Sequence, residues 1–375
     1  MPGMQHSELA AWLRLLETPG LGPSGVRRLL AGLGGPEAVL AAGPAAWRAF
    51  IGPTYVQALS QPTAELERLI ERSWAWLQAD PGHDLLALGD ADYPALLLQT
   101  ADPPLLLYLH GQRGLLAAES LAVVGSRSPT PQGRGNAEHF GRALGEAGLT
   151  VVSGLALGVD GAAHSGALAT PASTIAVLGT GLDQIYPPRH QRLGEQIAAQ
   201  GLLLSEYALG MPPLPGNFPR RNRIIAGLAR GCLVVEATLQ SGSLITARLA
   251  AEAGREVFAI PGSIHAPQSH GCHALIRQGA KLVERVEDVL EELQGLRGGP
   301  AHAGTAAATE PAAAGPQGEA GLMLTAMGFE PVSLDALQAR GGWSTAQLNA
   351  LLLELELAGE VARLPGQLFQ RQRGA

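Results

Sequence analysis

Between residues 119 and 290, short runs of apolar side chains recur at 121–124, 150–152, 174–178, 201–204, 232–235 and 257–260. Each run is unbroken rather than alternating, which suits strands buried on both faces of a parallel sheet. The intervening segments 133–148, 159–169, 189–199, 220–229 and 244–254 read as helix-like and are long enough for crossover helices. This alternation predicts a doubly wound α/β fold built on a parallel, Rossmann-like sheet. In such sheets a ligand sits beyond the carboxyl ends of the strands.

The flanks follow other patterns. Residues 1–80 are helical in period, with Leu9, Trp12, Leu13 and Leu16, then Leu66, Leu69, Ile70 and Trp74, recurring at helical spacing. Thr18-Pro19-Gly20-Leu21-Gly22-Pro23-Ser24-Gly25 separates two of these helices. The arrangement resembles a helix-hairpin-helix element, whose free amides can hold a phosphate. The region is net acidic, which favours a plain turn between packed helices. Residues 81–295 are expected to form one domain, and its apolar runs 84–88 and 105–109 read as strands or as a lead-in. Residues 296–318, rich in Ala, Gly and Pro, bury too little surface to fold and read as a linker. Residues 319–375 form a third unit, with a helix over 345–358 that Ser344 and Gln347 cap, and a hairpin at Pro365-Gly366. Three helices and a terminal hairpin suggest a winged helix.

Composition narrows the options. The chain has 375 residues, 46% of them hydrophobic, with room for two or three domains. No apolar run is long enough to span a bilayer, and residues 1–17 lack the basic and apolar stretches of a secretory signal. Cys232 and Cys272 are the only cysteines and give no metal spacing, so neither a metal nor another cofactor is expected. A cytoplasmic protein without a membrane partner is the expectation. The net charge of −7 argues against a generic nucleic-acid binder. The charge is uneven, however: residues 119–290 carry 14 basic and 13 acidic groups, and the flanks 12 and 20. An anion would therefore prefer the central domain.

Candidate chemistry clusters at the expected strand ends. Phe218-Pro219-Arg220-Arg221-Asn222-Arg223 places three arginines and an asparagine behind an aromatic ring. Guanidinium forks grip phosphates, and a phenylalanine stacks on unpaired bases. Gly125-Ser126-Arg127 follows the first strand, and Ser241-Gly242-Ser243 follows the fifth at a helix start. Both suit an anion. Ser153, Gly154 and Gly158 after the second strand form a candidate phosphate loop, although Asp160 would oppose an anion there or cap the next helix. The dinucleotide fingerprint is absent, because the first turn is not GxGxxG and no acidic residue ends the second strand.

Taken in order, these residues resemble the DNA-processing protein A (Smf) family. The resemblance runs through Ala122-Val123-Val124-Gly125-Ser126-Arg127, Val152-Ser153-Gly154-Leu155-Ala156-Leu157-Gly158-Val159-Asp160 with His164, and Ile175-Ala176-Val177-Leu178-Gly179-Thr180-Gly181-Leu182-Asp183 with Tyr186-Pro187. It continues through Leu204-Ser205-Glu206-Tyr207, the arginine run, Val234-Val235-Glu236-Ala237, residues 241–246 and the stretch from Gly254 to Gly262. The resemblance implies a SAM-like N-terminal domain and a C-terminal winged helix. It also implies a non-enzymatic protein that binds incoming single-stranded DNA in natural transformation, shields it and loads the RecA recombinase. A homodimer through the Rossmann-like domain is implied, with Gly125, Ser126, Arg127, Phe218 and the following arginines on DNA. Two positions depart: Asn217 stands where many members have lysine, and His190 follows Tyr186-Pro187 where asparagine is expected.

The rival class is a nucleotide-processing enzyme of the phosphoribohydrolase type. Its PGGxGTxxE signature, laid on residues 241–249, matches only at Gly242 and Thr246, and Leu249 stands in the place of the catalytic glutamate. Asp160, His164 and Glu236 offer acid–base groups without a spacing that joins them. The expected recognition helix 345–358 holds Glu354 and Glu356 and no Arg or Lys, which points to a winged helix that binds protein or contacts DNA only weakly.

Overall fold

The computed structural model describes residues 4–295, 318–329, 331–364 and 366–372. The expected linker lies, apart from Gly318, outside the described residues, as does Pro365 of the hairpin.

Five helices open the chain: α1 (His6–Leu16), α2 (Gly22–Leu33), α3 (Pro36–Trp47), α4 (Pro53–Ser60) and α5 (Ala64–Ala79). Thr63 caps α5 by accepting from Leu66 N. Leu9, Trp12, Leu13, Val26, Leu29, Trp47 and Leu59 are buried together, as their helical spacing predicts. The expected hairpin is a tight turn in which Gly20 and Gly22 adopt positive φ. Among the described residues no single helix is long and apolar enough to cross a membrane. The pair α2 and α3 passes only jointly, across a 91° bend.

The central domain is a nine-stranded sheet of β1 (His83–Ala87), β2 (Leu106–Gly111), β3 (Ser120–Val124), β4 (Thr150–Ser153), β5 (Thr174–Val177), β6 (Leu202–Ser205), β7 (Gly231–Val234), β8 (Glu256–Ala259) and β9 (Lys281–Leu282). The spatial order is β1-β2-β6-β5-β4-β3-β7-β8-β9. Strands β3 to β9 pair in parallel. The runs near residues 84 and 105 are strands rather than a lead-in, and they add an antiparallel edge beside β6. The connecting helices are α6 (Ala95–Leu98), α7 (Pro131–Glu146), α8 (Val159–Leu168), α9 (Gln191–Gln200), α10 (Asn217–Leu228), α11 (Ser243–Glu252), α12 (His270–Arg277) and α13 (Val286–Gly295).

The sheet separates two cores. Phe140, Leu144, Val159, Ala163 and Val289 meet Leu121, Val123 and Leu233 on one face. Leu97, Ile224, Ile225, Ala247 and Cys272 meet Ala122, Val124 and Cys232 on the other. Burial pushes both thiols up to about 12, so they behave as apolar filler. From β3 the chain winds outward through β4, β5 and β6, then returns to place β7 on the opposite side of β3. The turns leaving β3 and β7 therefore diverge and open a crevice, the usual ligand position in such sheets.

The C-terminal unit holds α14 (Glu319–Met327), α15 (Leu334–Gly341) and α16 (Thr345–Leu357), with β10 (Val332–Ser333), β11 (Val361–Leu364) and β12 (Leu368–Arg371). Its strands run in the order β10-β12-β11. Ser344 and Gln347 form the expected capping box at the start of α16. Met323, Leu324, Leu337, Leu348, Leu352, Val361 and Phe369 give this unit a core of its own.

Candidate functional site

A cleft of about 470 Å³ opens where β3 and β7 diverge, walled by the turn after β3, the start of α10 and the turn into α11. Ser126 N donates to Glu236 O at 2.7 Å, which joins the two turns across the crevice. Arg127 is exposed, and its guanidinium carbon lies 5.8 Å from the centre of the Phe218 ring. Phe218 is half-buried against Gly179, with Tyr186 tilted beside it at 5.6 Å between ring centres. Cation and ring thus stand together on an open wall.

The opposite wall is the start of α11. Ser241 and Ser243 share a hydroxyl contact of 2.7 Å, and Gly242 is exposed between them. Asn222 reaches across to Gly242 O at 3.4 Å. The positive end of the α11 dipole there favours a negative ligand. Thr238, Ile245 and Thr246 complete this wall. Sequence reasoning did not name these three as site residues: Ile245 and Thr246, like Tyr186, entered only as part of a family match, and Thr238 carries no motif.

The arginine run divides. Arg221, expected on phosphate, is only 4% exposed. It donates to Gly154 O at 2.6 Å and to Val177 O, so it ties the ends of β4 and β5 to α10. Gly154 has no Cβ because that atom would overlap the Arg221 guanidinium. Burial holds Arg221 down to about 10 while neighbouring Asp160 pulls the other way. Arg223, also expected on DNA, donates to Glu206 and sits 3.1 Å from Asp102, in an ionic contact not aligned as a hydrogen bond. Arg220 is 49% exposed but turns toward Glu206, 3.9 Å away, in a second hollow beside the Thr18–Gly22 hairpin. An alternating helical face explains this: successive positions in α10 point about 100° apart, so three near-neighbours cannot share one wall.

The candidate phosphate loop needs a similar correction. The amides of Gly154 and Ala156 donate to Asp160 Oδ2 at 3.1 and 3.3 Å, so the chain's own carboxylate fills the anion position. Burial raises Asp160, opposed by Arg221 and these two amides. Ser153 is fully buried and donates to Val123 O at 2.6 Å. Gly158 serves a different end: its φ is +84°, and a Cβ there would overlap Ser126 O, so it seats the Ser126–Arg127 turn.

The remaining acid–base groups are also committed. Thr174 Oγ1 donates to Val151 O at 2.6 Å and therefore accepts from His164 Nδ1 at 2.7 Å. His164 Nε2 accepts from Leu155 N at 3.3 Å, which fixes a neutral tautomer. Burial, with His190 and Arg221 nearby, holds His164 down to about 3. Glu236 receives Thr130 N at 2.9 Å and Thr130 Oγ1 at 2.5 Å at the start of α7. At the two family departures, Asn217 donates to Gly179 O at 3.1 Å, and His190 Nδ1 donates to Leu155 O at 2.9 Å. Both residues brace turns around the Phe218 wall.

The chain resembles known proteins along most of its length. The family model described as DNA recombination-mediator protein A matches residues 84–294, and the DprA winged helix domain matches 307–367. The Protein Smf of Escherichia coli strain K12 is 45% identical over 311 residues, covering 81% of each chain. The solved DNA processing protein A of Streptococcus pneumoniae superposes with a TM-score of 0.66 at 38% identity, over 77% of this chain and 98% of that one. The counterpart from Helicobacter pylori, solved for its single-stranded DNA binding mode, gives 0.51 at 33% identity, over 56% and 96%. On the strength of the match across the whole sheet domain, this chain belongs to the DNA recombination-mediator protein A family.

Proposed function

We propose that the cleft between β3 and β7 holds single-stranded DNA. The observation that carries this reading is Arg127 standing over the Phe218 ring, with the α11 start opposite. A guanidinium for phosphate, an aromatic face for an unpaired base and the positive end of a helix are the parts a single-strand groove combines. Ser126, Asn222, Ser241 and Gly242 add polar contacts, while Gly125 and Ser243 shape the turns. The family supports the finer role: a cytoplasmic, homodimeric protein that shields incoming DNA in transformation and loads the RecA recombinase.

The protein acts by binding and not by turnover. Asp160, His164 and Glu236 support this reading, since each is engaged by the fold itself. Incubation with nucleotides is expected to release no product. Titration with single-stranded and duplex oligonucleotides tests the binding reading. The single strand is expected to bind more tightly, and Phe218→Ala is expected to cost about 1–3 kcal/mol on it. Equal affinity for both forms, unchanged by Phe218→Ala, would contradict stacking.

The winged helix is assigned to a protein partner. Helix α16 exposes Leu353 at 58% and Leu357 at 82% and carries no basic residue. The 318–372 unit, which has its own core, is expected not to bind duplex DNA in a salt-sensitive manner. Tight, salt-sensitive duplex binding by it would overturn the assignment.

A further inference from the structure

A second cluster of ligating side chains lies away from the cleft. Asp80 ends α5, His83 opens β1, and His110 faces His83 across the antiparallel β1–β2 pair. One ligand atom from each lies within 4.8 Å of the others, and among the described residues this is the only such grouping of three. None of them lines the cleft. The strand register accounts for the histidine pair, because directly opposed residues share a face of the sheet. The turn at Pro81-Gly82 accounts for the carboxylate: Gly82 N donates to Asp80 Oδ1 at 2.7 Å and holds it there.

We infer that Asp80, His83 and His110 form a binding site for a divalent transition ion of the zinc type, at the seam between the helical unit and the sheet. The hydrogen bonding of His83 is the strongest support. Its Nδ1 lies 2.6 Å from Trp76 O, and a carbonyl only accepts, so Nδ1 carries the proton and Nε2 keeps its lone pair. Donation from the far ring nitrogen to a backbone carbonyl is how ligating histidines are oriented. The His83 ring is also clamped, stacked on Trp76 at 3.8 Å. Two imidazoles and one carboxylate match the donor set of zinc sites with three protein ligands, the rest of the shell being water. Bound there, the ion links the end of α5 to β1 and β2.

The test uses the full chain, titrated with Zn²⁺ against a chromophoric chelator, with Co²⁺ as a spectroscopic stand-in. The wild type is expected to take one Zn²⁺ per chain and to give a visible Co²⁺ ligand-field band. His110→Ala is expected to lose both signals. Asp80→Asn removes the charge at an exposed position while keeping an oxygen for Gly82 N, so it leaves the fold intact. It is expected to weaken Zn²⁺ by at least about tenfold, since even outer partners of a metal site command that much. A wild type that binds no Zn²⁺, or variants that bind it as tightly as the wild type, would overturn the assignment.

Discussion

Arg127 and Arg221 carry the same guanidinium and are put to opposite uses. Arg127 is solvated and free to meet a phosphate, whereas Arg221 is sealed beneath the sheet edge, against Asp160 and the carbonyls of Gly154 and Val177. Removing a buried charge leaves its partner uncompensated, so Arg221→Ala is expected to lose about 3–5 kcal/mol of stability in denaturant unfolding. Arg127→Ala is expected to leave the unfolding curve in place. His164 makes a second residue-scale prediction. Its folded value of about 3 lies below the ordinary 6.5, so below pH 6.5 the unfolded chain binds the extra proton. Its contribution is complete above pH 6.5 and is lost as pH falls toward 3. His164→Gln, which can accept from Leu155 N and donate to Thr174, is expected to flatten the stability profile in that window. An equally steep profile in the variant would show that other groups cause the acid loss. Residue chemistry alone did not separate the two arginines. Sequence shows the group, and only helical phase and burial show which way it points.

At the scale of elements, the unbroken apolar runs located six strands of the sheet and the helices between them, because burial on both faces leaves no alternation to misread. The turns were harder. The glycine-rich stretch after β4 has the composition of a phosphate loop, yet its amides serve Asp160, which reaches back to them from the first turn of α8. A carboxylate one turn into such a loop is a legible warning, and it was present in the sequence. Gly158 shows what the loop does instead. Its positive φ and its contact with Ser126 O make it the seat of the Arg127 turn. Gly158→Ala is expected to displace that turn and weaken single-strand binding without replacing any residue of the cleft. Oligonucleotide titration beside an unfolding curve checks this. Wild-type affinity in a folded Gly158→Ala protein would contradict the link.

The whole molecule joins its helical unit to the sheet through ionic contacts. Arg27 pairs with Asp102 at 2.6 Å, Asp102 meets Arg223, and Arg223 reaches Glu206. Arg223 of the run thus anchors α10, and so Phe218, against the rest of the chain. This was not visible in the sequence, where Arg27, Asp102, Glu206 and Arg223 are far apart. The cleft itself is assembled wholly from residues between Val124 and Thr246. A chain ending at residue 295 is therefore expected to keep its single-strand affinity and salt dependence, as measured by the same titration. A large loss on truncation would mean that the C-terminal unit completes the groove.

The central claim is that Arg127 meets a phosphate of single-stranded DNA, and paired salt titrations of the wild type and Arg127→Ala test it most directly. Log-affinity should fall linearly with log salt in both proteins. The variant should bind more weakly, with a slope shallower by about 0.7, the loss of one phosphate contact. An Arg127→Ala protein with unchanged affinity and unchanged slope would contradict the account.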